Sequence, residues 1–372
     1  MRRFIGVRLA ICVGFVLVAL GLAGWLGRVQ LQSRYFLYRL AHASDTPRLD
    51  WAKHIADLDD AGMAGVLELL RSPQPRASLG ARAALDCLAE RWQSPDLRVR
   101  LSHELADKFA CFSLPGQRQA LEAASMWLGT GNWPPEAIDA LAVLLVPAGH
   151  SPDRETRAQA LVLERAMVGH GGPAATAACR ELVRVALTDQ VSEIRASAAC
   201  SAAAAELDLL AEVAPLLDDP APDVRQAALV TLGPPEAAAV VTTDDLLRSL
   251  HDPDRDVRRL CEAALRSRSL SDQDILLGRL VTSPEPTTRL QVLEKLRRAS
   301  DQEPGVWLRR LSRDPSPAVR GAAIRASLDY ANLEMTERIA QMARTDPSET
   351  VRQLAEHYLS ARQTLPLPAP GH

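Results

Sequence analysis

The residues able to do chemistry are few and scattered. Eight histidines (His42, His54, His103, His150, His170, His251, His357 and His372) give one His-Glu dipeptide, His103-Glu104, and no His-Glu-x-x-His. The pattern that places two zinc ligands on one helix face is therefore missing. The six cysteines (Cys12, Cys87, Cys111, Cys179, Cys200 and Cys261) form no Cys-x-x-Cys pair, and their wide spacing suits small buried packing residues. Neither a Gly-x-Ser-x-Gly elbow nor a P-loop occurs. Gly169-His170-Gly171-Gly172 matches a phosphate loop only in glycine content, with no strand before it, and reads as a connecting loop. Phe109, Phe112, Trp127 and Trp133 form the densest aromatic region outside the N-terminal segment and read as packing. No catalytic residue, metal ligand or cofactor is expected.

What does recur is arginine. Arg195, Arg225, Arg258, Arg289, Arg320 and Arg352 follow one another at 30, 33, 31, 31 and 32 residues, and Arg157, Arg118 and Arg82 continue the series backwards at 38, 39 and 36. A proline stands five residues before six of them: Pro152, Pro220, Pro253, Pro284, Pro315 and Pro347. Regular spacing of this kind is the signature of a repeat architecture.

The elements that position these arginines follow from the flanking residues. In DPAPDVRQAALVTL (219–232), DPDRDVRRLCEAAL (252–265) and DPSPAVRGAAIRAS (314–327), Asp-Pro ends one helix because proline cannot supply the next donor. Pro222, Pro286 and Pro317 stand where the first residue of a new helix belongs. Asp254, Ser316 and Ser348 suit the N-cap, and Asp223, Asp256, Glu193 and Glu155 add negative charge near the positive helix end. Apolar partner helices are expected at Leu207–Leu217, Asp244–Leu250, Asp274–Val281, Val306–Leu311 and Met335–Ala343. Such a helix pair cannot bury its apolar face alone, so neighbouring pairs must stack.

The motif D-P-x-x-x-V-R-x-x-A-x-x-A-L resembles the HEAT repeat family, in particular the short variety also found in phycobilisome-lyase-type proteins. The resemblance covers about Thr188 to Arg362 and extends back to about Ala61. It implies an all-α fold, a right-handed α-α superhelix. It also implies a ladder between neighbouring repeats, in which Arg225, Arg258, Arg289, Arg320 and Arg352 pair with acids such as Asp219, Asp252, Asp314 and Asp346. The HEAT-like deoxyhypusine hydroxylases hold two irons with several His-Glu pairs, and the single His103-Glu104 does not support that activity.

Composition agrees with helices, since aromatics are 4 % of 372 residues and a large sheet would want more aromatic and β-branched filling. The net charge is −3. Arg2, Arg3, Arg8, Arg28, Arg34 and Arg39 all lie before the first acid, Asp45, which leaves 37 of the 43 basic residues against 46 acidic ones, about −9. That balance disfavours nucleic acid, whose binding needs clustered positive charge.

Leu9–Leu26 is an uncharged run of 18 residues, just enough for a transmembrane helix, with Trp25 at an interface and Arg2, Arg3, Arg8 and Arg28 flanking it. A cleaved signal peptide, cut near Gly21-Leu22-Ala23, is the competing reading. The expected organisation is thus an anchor (1–27), a juxtamembrane helix and linker (28–60), irregular repeats (61–187), regular repeats (188–362) and a proline-rich disordered tail (363–372). Residues 28–41 fit either a helix at the lipid headgroups or a first helix packed on the array. The functional expectation is a membrane-anchored scaffold without catalysis. It would bind a protein or peptide on its concave face and the lipid bilayer through the N-terminal helix, with the repeats outside the inner membrane. The alternatives are an enzyme or cofactor-handling protein of bilin-lyase type, a nucleic-acid-binding repeat protein, and, for location, an exported soluble product.

Overall fold

The protein is described here by a computed structural model covering residues 30–298, 304–330 and 335–364. Among these residues there is no strand. The chain divides into two compact units, the first ending at Val213 and the second beginning at Ala214.

The described part of the first unit opens with a helix over residues 30–42, α1. Then follow α2 (Asp45–Ala56), α3 (Asp60–Leu70), α4 (Pro75–Arg91), α5 (Pro95–Lys108), α6 (Leu114–Thr130) and α7 (Pro135–Ala142). The unit closes with α8 (Leu145–Gly149), α9 (Arg154–Met167), α10 (Pro173–Ala186), α11 (Ser192–Ser201) and α12 (Leu210–Val213). Helices α2, α4, α6, α9 and α11 stack in succession as one layer, and α5, α7 and α10 form the other. The seam is rich in fully buried alanine (Ala81, Ala84, Ala120, Ala123, Ala124 and Ala160) alternating with Leu85, Leu88, Leu121 and Leu161. Small side chains let helix axes approach without loss of rotamer entropy. Ser94, Ser113 and Asp153 cap α5, α6 and α9 by accepting from a backbone N–H in the first turn.

The second unit runs through α13 (Pro222–Leu232), α14 (Thr243–Leu247), α15 (Arg255–Ser267), α16 (Asp272–Val281) and α17 (Pro286–Arg298). It continues with α18 (Pro304–Leu311), α19 (Pro317–Ala326), α20 (Thr336–Thr345) and α21 (Glu349–Thr364). Pro222, Pro286 and Pro317 are each the first helical residue. The second helices of the pairs stack α13 on α15, α17 on α19 and α19 on α21, whereas α15 and α17 scarcely touch. The apolar core reflects the same discontinuity. One cluster joins Leu277, Val292, Trp307, Val319, Met335 and Tyr358, and it takes in no residue of α15.

The structure corrects the membrane-anchored reading. Among the described residues no helix is long and apolar enough to cross a membrane. The longest, α4 and α6, have 17 residues each, about 26 Å at the helical rise, and α4 carries Arg82, Asp86, Glu90 and Arg91. Leu9–Leu26 and its flank Arg2, Arg3, Arg8, Trp25 and Arg28 lie outside the described residues, as does the tail from residue 365. Over the described residues the fold is accordingly an all-α helical repeat with no transmembrane helix. The anchored scaffold, the bilayer as partner and the inner-membrane location are withdrawn with it. Helix α1 instead packs on the array: Leu40 is fully buried, Ser33 Oγ donates to the Ala61 carbonyl at 3.3 Å, and Phe36 lies against Trp51 and His54.

Candidate functional site

The repeated arginine does two things at once. Arg320 donates from Nη1 to the carbonyls of Asp314 (2.9 Å) and Pro315 (3.0 Å) in its own turn. Its Nε and Nη2 fork onto both oxygens of Asp346 in the next turn, at 2.8 and 2.7 Å. Arg225 does the same with Asp219, Pro220 and Asp252, and Arg289 with Ser283, Pro284 and Asp314. In the first unit Arg157 repeats the arrangement with Ser151, Pro152 and Asp189. The aspartate is doubly used as well, because Asp252, Asp314 and Asp346 each accept the backbone N–H two residues on, at 2.7–2.9 Å. This closes the turn that proline opened. The Arg320 fork, the largest influence on Asp346, holds that carboxyl below its ordinary range against the opposing effect of burial.

The register is interrupted once in the second unit. Arg258 bonds the carbonyls of Asp252 (2.6 Å) and Pro253 (2.9 Å), but its Nε and Nη2 meet no carboxylate among the described residues. Ser283 stands where the neighbouring repeats have aspartate, and its Oγ keeps only the turn bond, from Glu285 N–H at 3.3 Å. The first unit has the same substitution at Ser151 and compensates, since Arg118 pairs there with Asp153 and Glu155. The terminal Arg352 holds the Asp346 carbonyl at 2.7 Å, and Arg195 those of Asp189 and Gln190.

The junction at Ser283 is where α15 and α17 part, while on the other layer α16 touches both α14 and α18. Gly278 makes this possible, because a Cβ there would lie 2.5 Å from Leu247 Cδ2. Arg310, following Trp307 in α18, reaches back two repeats to pair with Asp244 of α14. Between them opens a groove of about 420 Å³, whose ionisable lining is Asp244, Arg248, Arg289, Arg310, Arg313 and Asp314. Arg289 is neutralised by Asp314 and Arg310 by Asp244. Arg248 and Arg313 are exposed and make no salt bridge or side-chain hydrogen bond among the described residues, although Arg248 lies near enough to Asp245 to help hold its carboxyl down; four arginines against two aspartates leave the lining itself net positive. Sequence reasoning passes over these residues, although a signal exists: Arg248, Arg279 and Arg310 each stand ten residues before Arg258, Arg289 and Arg320.

Among the remaining reactive side chains, Cys111 and Cys200 are exposed, contrary to the expectation that the cysteines are buried packing residues. Cys179 and Cys261 are buried and donate to the carbonyls of Glu164 and Leu246. Burial pushes both thiols up to about 12, which removes the thiolate that nucleophilic chemistry needs. The glycine loop is capped by a carboxylate of the protein itself, as Asp139 Oδ1 accepts from Gly172 and Ala175 N–H, both at 3.0 Å. Trp127 and Trp133 stack at 5.3 Å and are buried, with Trp127 Nε1 donating to Asp86 and Arg98 over Trp133. His103 is exposed and Glu104 pairs with Lys108 at 2.5 Å. Among the described residues no group of three or more His, Cys, Asp or Glu could hold a metal ion.

Residues 274–360 match the family described as HEAT repeats, and they coincide with the block that shares one core. No curated protein matches the chain. Among solved structures, the crystal structure of an engineered protein aligns at a TM-score of 0.40 with 18 % identity, over 90 % of this chain and 99 % of that one. A likeness so slight carries no argument. The matched stretch is a segment of HEAT repeats, and the stacked helix pairs joined by Asp-Pro turns are consistent with a HEAT-like repeat family.

Proposed function

We propose that this chain is a non-catalytic scaffold that holds another protein. The observation that carries this reading is how its repeated charges are used. Arg157, Arg225, Arg289 and Arg320 are consumed in turns and rungs, which gives them a structural role, and the buried thiols are kept protonated. What faces solvent is an extended helical surface of the kind repeat proteins use for binding. The stacking forks explain the arginine series without a ligand, because a bidentate guanidinium–carboxylate pair fixes the geometry between one repeat and the next.

The test is affinity capture of the full chain after cross-linking in the cells that make it, followed by titration calorimetry of the purified chain with each enriched protein. A saturable, direct protein partner is the expected result. If the purified chain turned over a small molecule, or enriched no protein at all, the scaffold reading would fail.

A further inference from the structure

Of the surfaces outside the rungs, the groove between α14 and α18 is the one whose chemistry is unbalanced. Its four arginines face two aspartates, and both aspartates are taken by Arg289 and Arg310. Arg248 and Arg313 are left exposed, without a salt bridge or side-chain hydrogen bond among the described residues, although Arg248 lies near enough to Asp245 to help hold that carboxyl down. A third cation, Arg338, lies close enough to Arg313 for the two to repel, and burial and this repulsion lower the Arg338 pKa. Arg310 is already positioned, its guanidinium 4.7 Å from the centre of the Trp307 ring. Its partner Asp244 has a largely exposed side chain, so an incoming carboxylate can replace it without opening the core.

We infer that this groove receives an acidic segment of a partner protein, with carboxylate side chains seated on Arg248 and Arg313. This rests on the scaffold reading above and adds the chemistry of the partner. Charge complementarity selects the occupant. Two planar guanidinium forks at a groove of about 420 Å³ suit side-chain carboxylates. The excess of acid over base beyond residue 44 opposes the long phosphate backbone of a nucleic acid. Because the pairs are at the surface, binding should weaken as salt rises.

The test uses the full chain and a fluorescein-labelled nonapeptide in which Glu alternates with Gly and Ser, against the same peptide with Gln for Glu, by fluorescence polarisation. The Glu peptide is expected to bind at least about tenfold more tightly. The double variant Arg248→Glu, Arg313→Glu is expected to erase that preference with little change in melting temperature, since both side chains are exposed and neither makes a salt bridge or side-chain hydrogen bond among the described residues. Arg154→Glu, an exposed site in the first unit, should leave it intact. Equal binding of the two peptides, binding of neither, or a preference that survives the double variant would overturn the inference, as would tighter binding of single-stranded oligonucleotide at the same arginines. Capture of one partner protein equally by wild type and double variant would remove the groove from the account while leaving the scaffold standing.

Discussion

Replacing Ser283 by aspartate should complete the rung that Arg258 lacks. The three intact rungs of the second unit give the geometry: an aspartate at this position accepts the Nε and Nη2 of the preceding arginine at 2.6–2.8 Å. It also keeps the turn bond that Ser283 Oγ now makes. Each charge-assisted hydrogen bond contributes roughly 1.5–3 kcal/mol, about 3–6 kcal/mol for the two. Against this stand desolvation of a new carboxylate at a buried position, on the order of several kcal/mol, and the ordering of Arg258, about 1 kcal/mol. The net gain is about 1 kcal/mol, which in a unit of this size raises the melting temperature by about 2–4 °C. Circular dichroism melts of wild type, Ser283→Asp, Arg258→Ala and the double variant give the coupling directly. The gain should vanish without Arg258, with an interaction energy of about 1 kcal/mol. Asp252→Ser makes the converse change at the intact Arg225 rung and should lower the melting temperature. A gain that persisted in the Arg258→Ala background, or a loss of stability in Ser283→Asp itself, would refute the reasoning.

Three further outcomes are expected. Asp346→Asn should destabilise by roughly 2–3 kcal/mol at pH 7, since it leaves the buried Arg320 fork half satisfied. The folded carboxyl lies below its unfolded value of about 3.9, so the pair's contribution is full above that value and is lost as pH falls through the folded one; the two urea midpoints should converge in acid. Glu164 has the opposite sign: burial raises its carboxyl, Oε1 has no hydrogen-bond partner among the described residues, and Oε2 accepts from Ser201 at 2.7 Å. Wild-type stability should therefore fall as pH rises from about 4.3 to the raised folded value, and Glu164→Gln should flatten that slope and be more stable at pH 8 by about 1 kcal/mol. Gly278→Val should cost about 1–3 kcal/mol by overpacking against Leu247, whereas Gly278→Ala should be near neutral, because the flexible Leu247 tip can move and alanine favours helix; thermal melts of both check this.

The sequence makes the repeat legible because its most visible residues carry backbone roles. Proline at Pro222, Pro286 and Pro317 can only begin a helix, and Asp-Pro can only turn one, so register and helix starts follow from local chemistry. The partner helices are harder to read. At α14 a five-residue helix, closed by a Thr242–Asp245 capping box, passes into a 3-10 turn at Arg248–His251, and α12 is a single turn. Such short pieces are fixed by what they pack against, so their periodicity is faint. The wider arginine spacing of the first unit has a similar source, since extra pieces such as α8 and the 3-10 turn Phe109–Cys111 lengthen its repeats. The direction of each fork is not legible at all, because arginines such as Arg225 and Arg320 have an aspartate within reach on both sides in sequence. Only the packed structure shows that they take the carbonyls behind and the carboxylate ahead.

The groove belongs to that second kind of feature. In an array where each repeat touches its neighbours, a side-chain contact spanning 66 residues, Arg310 with Asp244, reaches across an intervening helix. That helix, α16, packs close on Leu247 of α14 at Gly278, and on the opposite layer α15 parts from α17 at Ser283. One serine in place of an aspartate thus sits at the same junction as a gap in the stacking of second helices, a break in the apolar core and a pair of arginines that make no salt bridge among the described residues. Closing the rung through Ser283→Asp would draw α17 toward α15 and so pull α14 and α18 away from the geometry that forms the groove. The substitution that stabilises the second unit should for that reason weaken binding of an acidic peptide, which makes stability and binding opposing demands on a single position.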